Sequence, residues 1–292
     1  MICWLASFPK SGNTWIRSLL SDYIFFSNEY SFENSIYKIK QFPSKSYFDY
    51  LFDENILKDS EKKQFINLDF ASQYWQPAQE RIIMQNKKDV FLKTHCVPCK
   101  IKNNFFVSIK TTKAAICIIR DPRQVALSLV NHFNYTSQQE AFDHLINDKL
   151  DACHFDYKGN KEVFCLYPLP PWDVYYYSWK SCNSKFPVYF IKYEDMFEFD
   201  IFCNLLKFLN ITLDIPELKF DLYKAKKVFD RSNLTKLKQI ETQSGFKEKL
   251  AKDTKSFFNE GKKSTWKTKL DKNIVDKIEI KFNKLMKEFN YI

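Results

Sequence analysis

Residues 2–20 read ICWLASFPKSGNTWIRSLL, an apolar run followed by a turn with proline and glycine and then by a second apolar segment. The first run is short, as is typical of a buried strand, while Leu19, Leu20, Tyr23 and Ile24 recur at helical spacing after the turn. The stretch therefore predicts a strand, a tight loop and a helix.

A loop of this kind brings together the backbone N–H groups of the turn and of the first helical turn, and the helix dipole adds to their attraction for an anion. Strand, glycine turn and helix also follow one another without binding a ligand, so the pattern alone leaves phosphate binding open. When Gly12 is aligned with the second glycine of a nucleotide-triphosphate loop, Asn13 takes the position of the lysine at the Mg²⁺ site, and the lysine lies earlier, at Lys10. The loop is therefore suited to an anion that is held without a metal.

Residues 9–15 resemble the 5′-phosphosulfate loop of the sulfotransferases that use 3′-phosphoadenosine 5′-phosphosulfate (PAPS) as sulfuryl donor. The resemblance covers nearly the whole chain, from Trp4 to Lys267, with its motifs in the same order. It implies that the donor is bound by Lys10, Ser11, Gly12, Asn13, Thr14 and Trp15. The indole of Trp15 is expected to stack on the adenine.

Lys93-Thr94-His95, at the end of a predicted strand, resembles the family's Lys-Thr-His segment. A histidine in such a place is more often an ordinary surface residue. The resemblance implies instead that His95 is the general base that takes the acceptor's proton and that Lys93 helps to hold the sulfuryl group. Histidine suits this role because it titrates near neutral pH. His95, Lys10 and Lys93 are the predicted catalytic residues.

Arg120-Asp121-Pro122 follows the clearest buried strand, residues 113–119. Asp121 as N-cap and Pro122 at the first helical position predict the start of a helix. Without further context the arginine is an ordinary surface residue. The segment resembles the family's 3′-phosphate site, which implies that Arg120 and Ser128 bind the 3′-phosphate. The planar guanidinium fork matches the geometry of phosphate.

Tyr-Glu-Asp at the end of a further predicted strand, residues 187–193, resembles a family segment that places Tyr193 near the nucleotide. Residues 244–247 resemble the stretch that lines the adenine, which implies that Ser244 and Phe246 contact the base. Plain core packing is the alternative for the aromatic side chains.

Residues 258–267 resemble the family's C-terminal loop, which closes over the donor. The resemblance implies that Gly261 and Lys262 contact the donor. The chain departs from the family here, because Asn259 and Glu260 replace the basic pair before the glycine. A glutamate beside a phosphate is unfavourable, so the departure puts the strength of donor binding in question.

Strands alternate with helices along the chain, and this order predicts an α/β, P-loop-like domain with a central parallel sheet and helices on both faces. The chain has 292 residues, 45% of them apolar, and only 4 glycines, so we expect one domain over residues 1–292 without linkers. Residues 28–88, with short helices and loops, and 134–171, with a helix near 138–146 and then a loop to Pro168, are expected to be insertions at the acceptor site. Further helices are predicted at 172–183, 200–209, 217–229 and 271–289.

The net charge of +10 favours anionic ligands, although the lysines are dispersed along the chain. The N-terminal sequence has no basic leader, no run approaches the length of a transmembrane helix, and the eight cysteines are scattered, which together predict a cytoplasmic protein with reduced thiols. Cys96 and Cys99 lack a second pair with metal-ligand spacing.

The sequence thus predicts a metal-independent sulfotransferase that moves a sulfuryl group from PAPS to a hydroxyl or amine by in-line displacement. The expected partner is a small-molecule, lipid or carbohydrate acceptor, with no nucleic acid, and the oligomeric state is open. Two alternatives stay open: a small-molecule kinase with the same phosphate loop, which requires Mg-ATP, and a catalytically idle nucleotide or polyanion binder.

Overall fold

A four-stranded parallel sheet lies at the centre of the protein. The computed structural model describes residues 1–26, 38–147, 151–155, 163–232 and 265–292, together with Gln239 and Thr242. The strands in this part of the chain are β1 (Ile2–Ser7), β2 (Val90–Thr94), β3 (Lys100–Ile101), β4 (Asn104–Phe105), β5 (Thr112–Ile119), β6 (Asp151–Phe155), β7 (Val163–Pro168) and β8 (Val188–Lys192). The central sheet has the order β2-β1-β5-β8, and each neighbouring pair in it is parallel.

Helices surround this sheet. Those in the described part are α1 (Asn13–Ile24), α2 (Tyr50–Asp53), α3 (Leu68–Ala71), α4 (Trp75–Gln85), α5 (Pro122–Phe133), α6 (Gln138–Ile146), α7 (Trp172–Ser181), α8 (Phe199–Thr212), α9 (Leu222–Arg231), α10 (Trp266–Lys269) and α11 (Lys272–Glu288). Within the described residues, no helix is long and apolar enough to cross a lipid bilayer.

Side chains that alternate along β1 divide the core into two layers, one on each face of the sheet. Trp4 is fully buried in the layer that contains Trp172 of α7, while its neighbour Leu5 is fully buried in the layer that contains Leu19 of α1 and Leu205 of α8. This period of two is what a strand with both faces covered requires. The predicted parallel sheet with helices on both faces is therefore confirmed.

The four central strands end at the same edge of the sheet. Ala6 pairs with Thr94 on one side and with Cys117 on the other, and Ile119 pairs with Lys192. The residues that follow each strand therefore come together, where parallel α/β proteins commonly bind their ligands.

Two local predictions are wrong. The region predicted as a loop up to Pro168 contains the antiparallel pair β6 and β7, because cross-strand pairing fixes short segments whose own pattern is weak. The helix predicted from residue 217 begins only at Leu222, because the Asp221 carboxylate caps it by accepting a hydrogen bond from the N–H of Lys224.

Candidate active site

The loop between β1 and α1 has two residues in the left-handed region, Lys10 with φ 65° and Gly12 with φ 96°. A Cβ atom on residue 12 would lie 2.2 Å from Cδ2 of Tyr193, which follows β8. Glycine is therefore required at this position both for its backbone conformation and for the close approach of the tyrosine ring. The loop and Tyr193, predicted to share one site, lie in contact.

Polar side chains of the loop point inward and fix its shape. Nδ2 of Asn13 donates to the carbonyl of Leu5 at 3.1 Å and to Oγ of Ser7 at 3.2 Å. Oγ of Ser11 lies 3.1 Å from the hydroxyl of Tyr176, which donates in turn to a β5 carbonyl. These contacts hold the shape of the loop.

Arg120 connects the end of β5 to the same loop. Its Nη1 donates to the carbonyl of Lys10 at 2.8 Å, and its guanidinium carbon lies 4.0 Å from the ring centre of Tyr193. The residue is only 9% exposed, and its Nε has no hydrogen-bond partner among the described residues. A buried cationic donor without a partner is costly, and an anion beside the loop would satisfy it.

His95 lies at the same edge, directly after β2. Its Nδ1 is 2.7 Å from the carbonyl of Ser7. Because a carbonyl oxygen only accepts, the proton belongs on Nδ1, and the neutral ring then carries its lone pair on Nε2. The tautomer is the one that a general base needs. Lys93, two residues earlier, is 6% exposed and pairs with Leu5 of β1.

Ser128 lies in α5, on the same helix as His132, which no motif in the sequence marks as functional. Nζ of Lys10 lies 3.4 Å from Nδ1 of His132, which is four residues after Ser128 and therefore on the same helix face. The structure thus brings Lys10 to the face of α5 that carries Ser128. The four-residue spacing was the only available signal for His132.

Trp15 is packed into the core at the start of α1. Its Nε1 donates to the carbonyl of Ser232 at 2.7 Å, its ring centre lies 4.5 Å from that of Phe197, and it is only 5% exposed. Stacking of Trp15 on an adenine stays a prediction. The predicted contacts of Ser244, Phe246, Gly261 and Lys262 fall outside the described residues.

A cavity of about 330 Å³ adjoins Arg120 and Tyr193. Its wall also includes the cation of Lys267 and the side chain of Tyr291, and neither residue was predicted from the sequence to bind the donor. Among the described residues, no group of three or more His, Cys, Asp or Glu side chains is arranged to hold a metal ion.

Comparison with known proteins gives one family and several structures. The family model described as "Sulfotransferase domain" matches residues 3–290. A search of curated proteins gave no match. Retinol dehydratase in complex with androsterone and the inactive cofactor PAP is 16% identical, with 98% of this chain and 80% of that chain covered and a TM-score of 0.56.

A second structure of retinol dehydratase, with retinol and PAP, is 17% identical over 98% of this chain and 81% of that chain, with a TM-score of 0.57. Mouse sulfotransferase SULT7A1 with PAP is 16% identical over 98% of this chain and 84% of that one, with a TM-score of 0.56. At such low identity, these likenesses establish the fold.

Proposed function

The chain belongs to the sulfotransferase domain family, and we propose how its residues transfer a sulfuryl group from PAPS to an acceptor. The observation that carries the mechanism is the arrangement of Lys10, Arg120 and Tyr193 around one loop at the carboxyl edge of the sheet. An anion is the ligand that such a loop, with a buried guanidinium beside it, fits best.

Donor binding is assigned to both ends of the nucleotide. The backbone N–H groups of Asn13 and Thr14 at the start of α1 would hold the 5′-phosphate, with the helix dipole in support. Arg120 and Ser128 would bind the 3′-phosphate, and the Nε of Arg120 supplies a donor that a phosphate oxygen can satisfy. Tyr193, whose ring packs against Gly12 of the loop, would contact the nucleotide as well.

Further donor contacts rest on the family resemblance alone. Trp15, Ser244 and Phe246 would surround the adenine, and Gly261 and Lys262 would close over the 3′-phosphate. The cavity wall adds Lys267 as a nearby cation, which offsets in part the replacement of the family's basic pair.

The transfer step forms one bond and breaks another. When bound, PAPS supplies a sulfuryl group whose S–O bond to the 5′-phosphate breaks while the acceptor oxygen or nitrogen bonds to sulfur. Nε2 of His95 takes the acceptor's proton, because Nδ1 already donates to Ser7. The ammonium groups of Lys10 and Lys93 stabilise the negative charge that develops on the leaving oxygen and on the sulfuryl oxygens. The nucleotide leaves with the electron pair of the broken bond.

The acceptor is proposed to be a small molecule, lipid or carbohydrate with a hydroxyl or amine, bound by the segments at 28–88 and 134–171. Retinol dehydratase, a structural neighbour, binds retinol and androsterone. In this chain, Phe133, Tyr135 and His144 form an aromatic cluster at the end of α5 that reaches Lys10 through His132. An aromatic surface beside the reaction centre supports an acceptor with a large apolar or sugar face.

Calorimetry with 3′-phosphoadenosine 5′-phosphate (PAP) tests donor binding. We expect saturable binding that Lys10→Ala weakens and that Lys110→Ala, an exposed lysine before β5 at the opposite edge of the sheet, leaves unchanged. No binding at millimolar PAP would overturn the proposal. A screen of acceptors with labelled PAPS then identifies the substrate, and phosphoryl transfer from Mg-ATP in its place would favour a kinase.

A cytoplasmic location is proposed as well. The cysteines that the structure describes carry free thiols: Cys3, Cys96, Cys99, Cys117, Cys182 and Cys203. Thiols in this state are usual in a reducing compartment. Fractionation of the native cells with an antibody against the chain tests the location.

A further inference from the structure

Glu194, which follows Tyr193 at the end of β8, connects three separate parts of the chain. Its Oε1 accepts a hydrogen bond from the backbone N–H of Asp121 at 3.1 Å. Its Oε2 accepts a hydrogen bond from the hydroxyl of Tyr291 at 3.0 Å. The carboxylate therefore ties the strand end to the start of α5 and to the residue that lies beyond α11.

The N–H of Asp121 belongs to the peptide group that joins Arg120 to Asp121. A contact on this planar peptide restrains its orientation and therefore the ψ angle of Arg120, the residue from whose Cα the guanidinium side chain extends. The same junction carries the helix cap, since Oδ1 of Asp121 accepts the N–H of Arg123 at 2.9 Å. Glu194 thus acts directly on the backbone that carries Arg120.

Tyr291 is held from its backbone as well as from its hydroxyl. Its carbonyl accepts from Nη2 of Arg123 at 2.8 Å. The Arg123 guanidinium in turn forms an ion pair with Asp121 at 2.7 Å and lies 3.8 Å from the ring of Trp266. Tyr291 is thereby fixed to the first turn of α5 at one end and to Glu194 at the other.

Burial raises the pKa of the Glu194 carboxyl, while the N–H of Asp121, the charge of Arg120 and the hydroxyl of Tyr291 act in the opposite direction. A carboxylate in a partly buried place costs stability, since burial disfavours its charged form. Packing alone does not explain why an acidic residue occupies position 194. The two hydrogen bonds explain it, because each carboxylate oxygen accepts from a donor whose position is fixed.

We propose that Glu194 and Tyr291 are positioning residues for donor binding, which hold the Arg120–Asp121 peptide so that the Arg120 guanidinium faces the 3′-phosphate. The inference rests on the proposed function. It adds Glu194 and Tyr291, two residues of the cavity wall, as groups that set the geometry of Arg120.

Three variants remove different parts of the hydrogen bonding around Glu194. Glu194→Gln keeps an acceptor oxygen for the N–H of Asp121, and its amide can still meet the Tyr291 hydroxyl. Tyr291→Phe removes one hydroxyl only. Glu194→Ala removes both hydrogen bonds. Tyr223→Phe is the matched control, because Tyr223 is 78% exposed on α9.

Calorimetry compares PAP with adenosine 5′-phosphate, which lacks the 3′-phosphate. We expect Glu194→Ala to weaken PAP about tenfold and Tyr291→Phe about threefold, each with less than a twofold change for adenosine 5′-phosphate. Glu194→Gln and Tyr223→Phe should stay within about twofold of the wild type for both ligands. In turnover assays, the KM for PAPS should rise in Glu194→Ala while kcat changes less.

Equal loss of both nucleotides in Tyr291→Phe, or no loss in either hydrogen-bond variant, would overturn the positioning role. These outcomes are distinct from failure of the proposed function, in which the wild-type chain itself does not bind PAP. If Glu194→Ala does not fold, Tyr291→Phe still decides, since it removes a single oxygen.

Discussion

The two ends of α5 are built from different chemistry, although both lie beside the same loop. At the N-terminal end, Asp121, Arg123 and Glu194 form a network of charged groups and backbone donors with hydrogen bonds near 3 Å. Each hydrogen bond in this network has a fixed partner and a fixed direction, which favours the binding of a ligand with fixed charges.

At the C-terminal end of α5, rings replace charges. Phe133 stacks on Tyr135 with centres 5.4 Å apart, and its centre lies 5.3 Å from that of His144. Ring faces offer a large apolar contact area, and under the proposed function this surface would receive the acceptor. Lys10 and His132 are the polar groups that border this end.

Under the proposed function, this contrast predicts that donor binding and sulfuryl transfer depend on opposite ends of one helix. Variants at the N-terminal end should change mainly the dissociation constant for PAP, and variants at the other end mainly turnover, while Lys10, which lies in the loop itself, should affect both.

The largest expected effect follows from His95→Ala. Loss of a general base typically lowers turnover by 10²- to 10⁴-fold, about 3–5 kcal/mol in the barrier. The dissociation constant for PAP should change less than about threefold, because the ring contacts Ser7 rather than the donor's phosphates. Steady-state kinetics and calorimetry on the same preparation check both. Turnover within tenfold of the wild type would show that another group takes the proton.

Arg120→Ala comes next. Hydrogen bonds to a charged group contribute about 1.5–3 kcal/mol, so PAP binding should weaken about 10- to 100-fold. Adenosine 5′-phosphate should be affected much less. Arg81→Ala is the control, because that arginine forms an exposed ion pair with Glu54. An equal loss for both nucleotides would place Arg120 away from the 3′-phosphate.

Local sequence signals predicted the N-terminal end of α5 well. Asp121 and Pro122 mark a helix start by rules that act over a few residues, and Gly12 is needed by its own backbone conformation. The contacts of Tyr291 and His132 could not be predicted in this way. They join residues 97 and 122 positions apart, and only the packing of separate elements brings them together.

His144, in the aromatic cluster at the C-terminal end of α5, is expected to make the stability of the protein depend on pH. Burial lowers the pKa of His144 to about 4, while its Nδ1 lies 2.8 Å from the hydroxyl of Tyr135. A base whose pKa falls on folding stabilises the native state above its unfolded pKa, near 6.5, and this contribution is lost as the pH falls toward 4. Between pH 7 and pH 5 the free energy of unfolding should drop by about 2 kcal/mol from this residue.

Urea denaturation at the two pH values measures the drop. In His144→Gln the titrating group is gone, whereas the amide oxygen still accepts from Tyr135, so the difference between pH 7 and pH 5 should shrink by about the same amount. PAP affinity at pH 7 should be unchanged. An unchanged pH dependence in the variant would assign the loss to other groups.

The smallest expected effect concerns His132, whose Nδ1 lies 3.4 Å from Nζ of Lys10. A neutral imidazole that accepts from this ammonium holds it near the reaction centre, so His132→Phe should lower kcat about three- to tenfold. His132→Gln keeps an acceptor and should recover most of the rate. PAP affinity should stay within about twofold in both variants, because the contact lies at the aromatic end of α5. If His132→Phe weakens PAP binding and leaves kcat intact, the contact between His132 and Lys10 acts in donor binding rather than in sulfuryl transfer. Donor binding would then not be confined to the N-terminal end of α5.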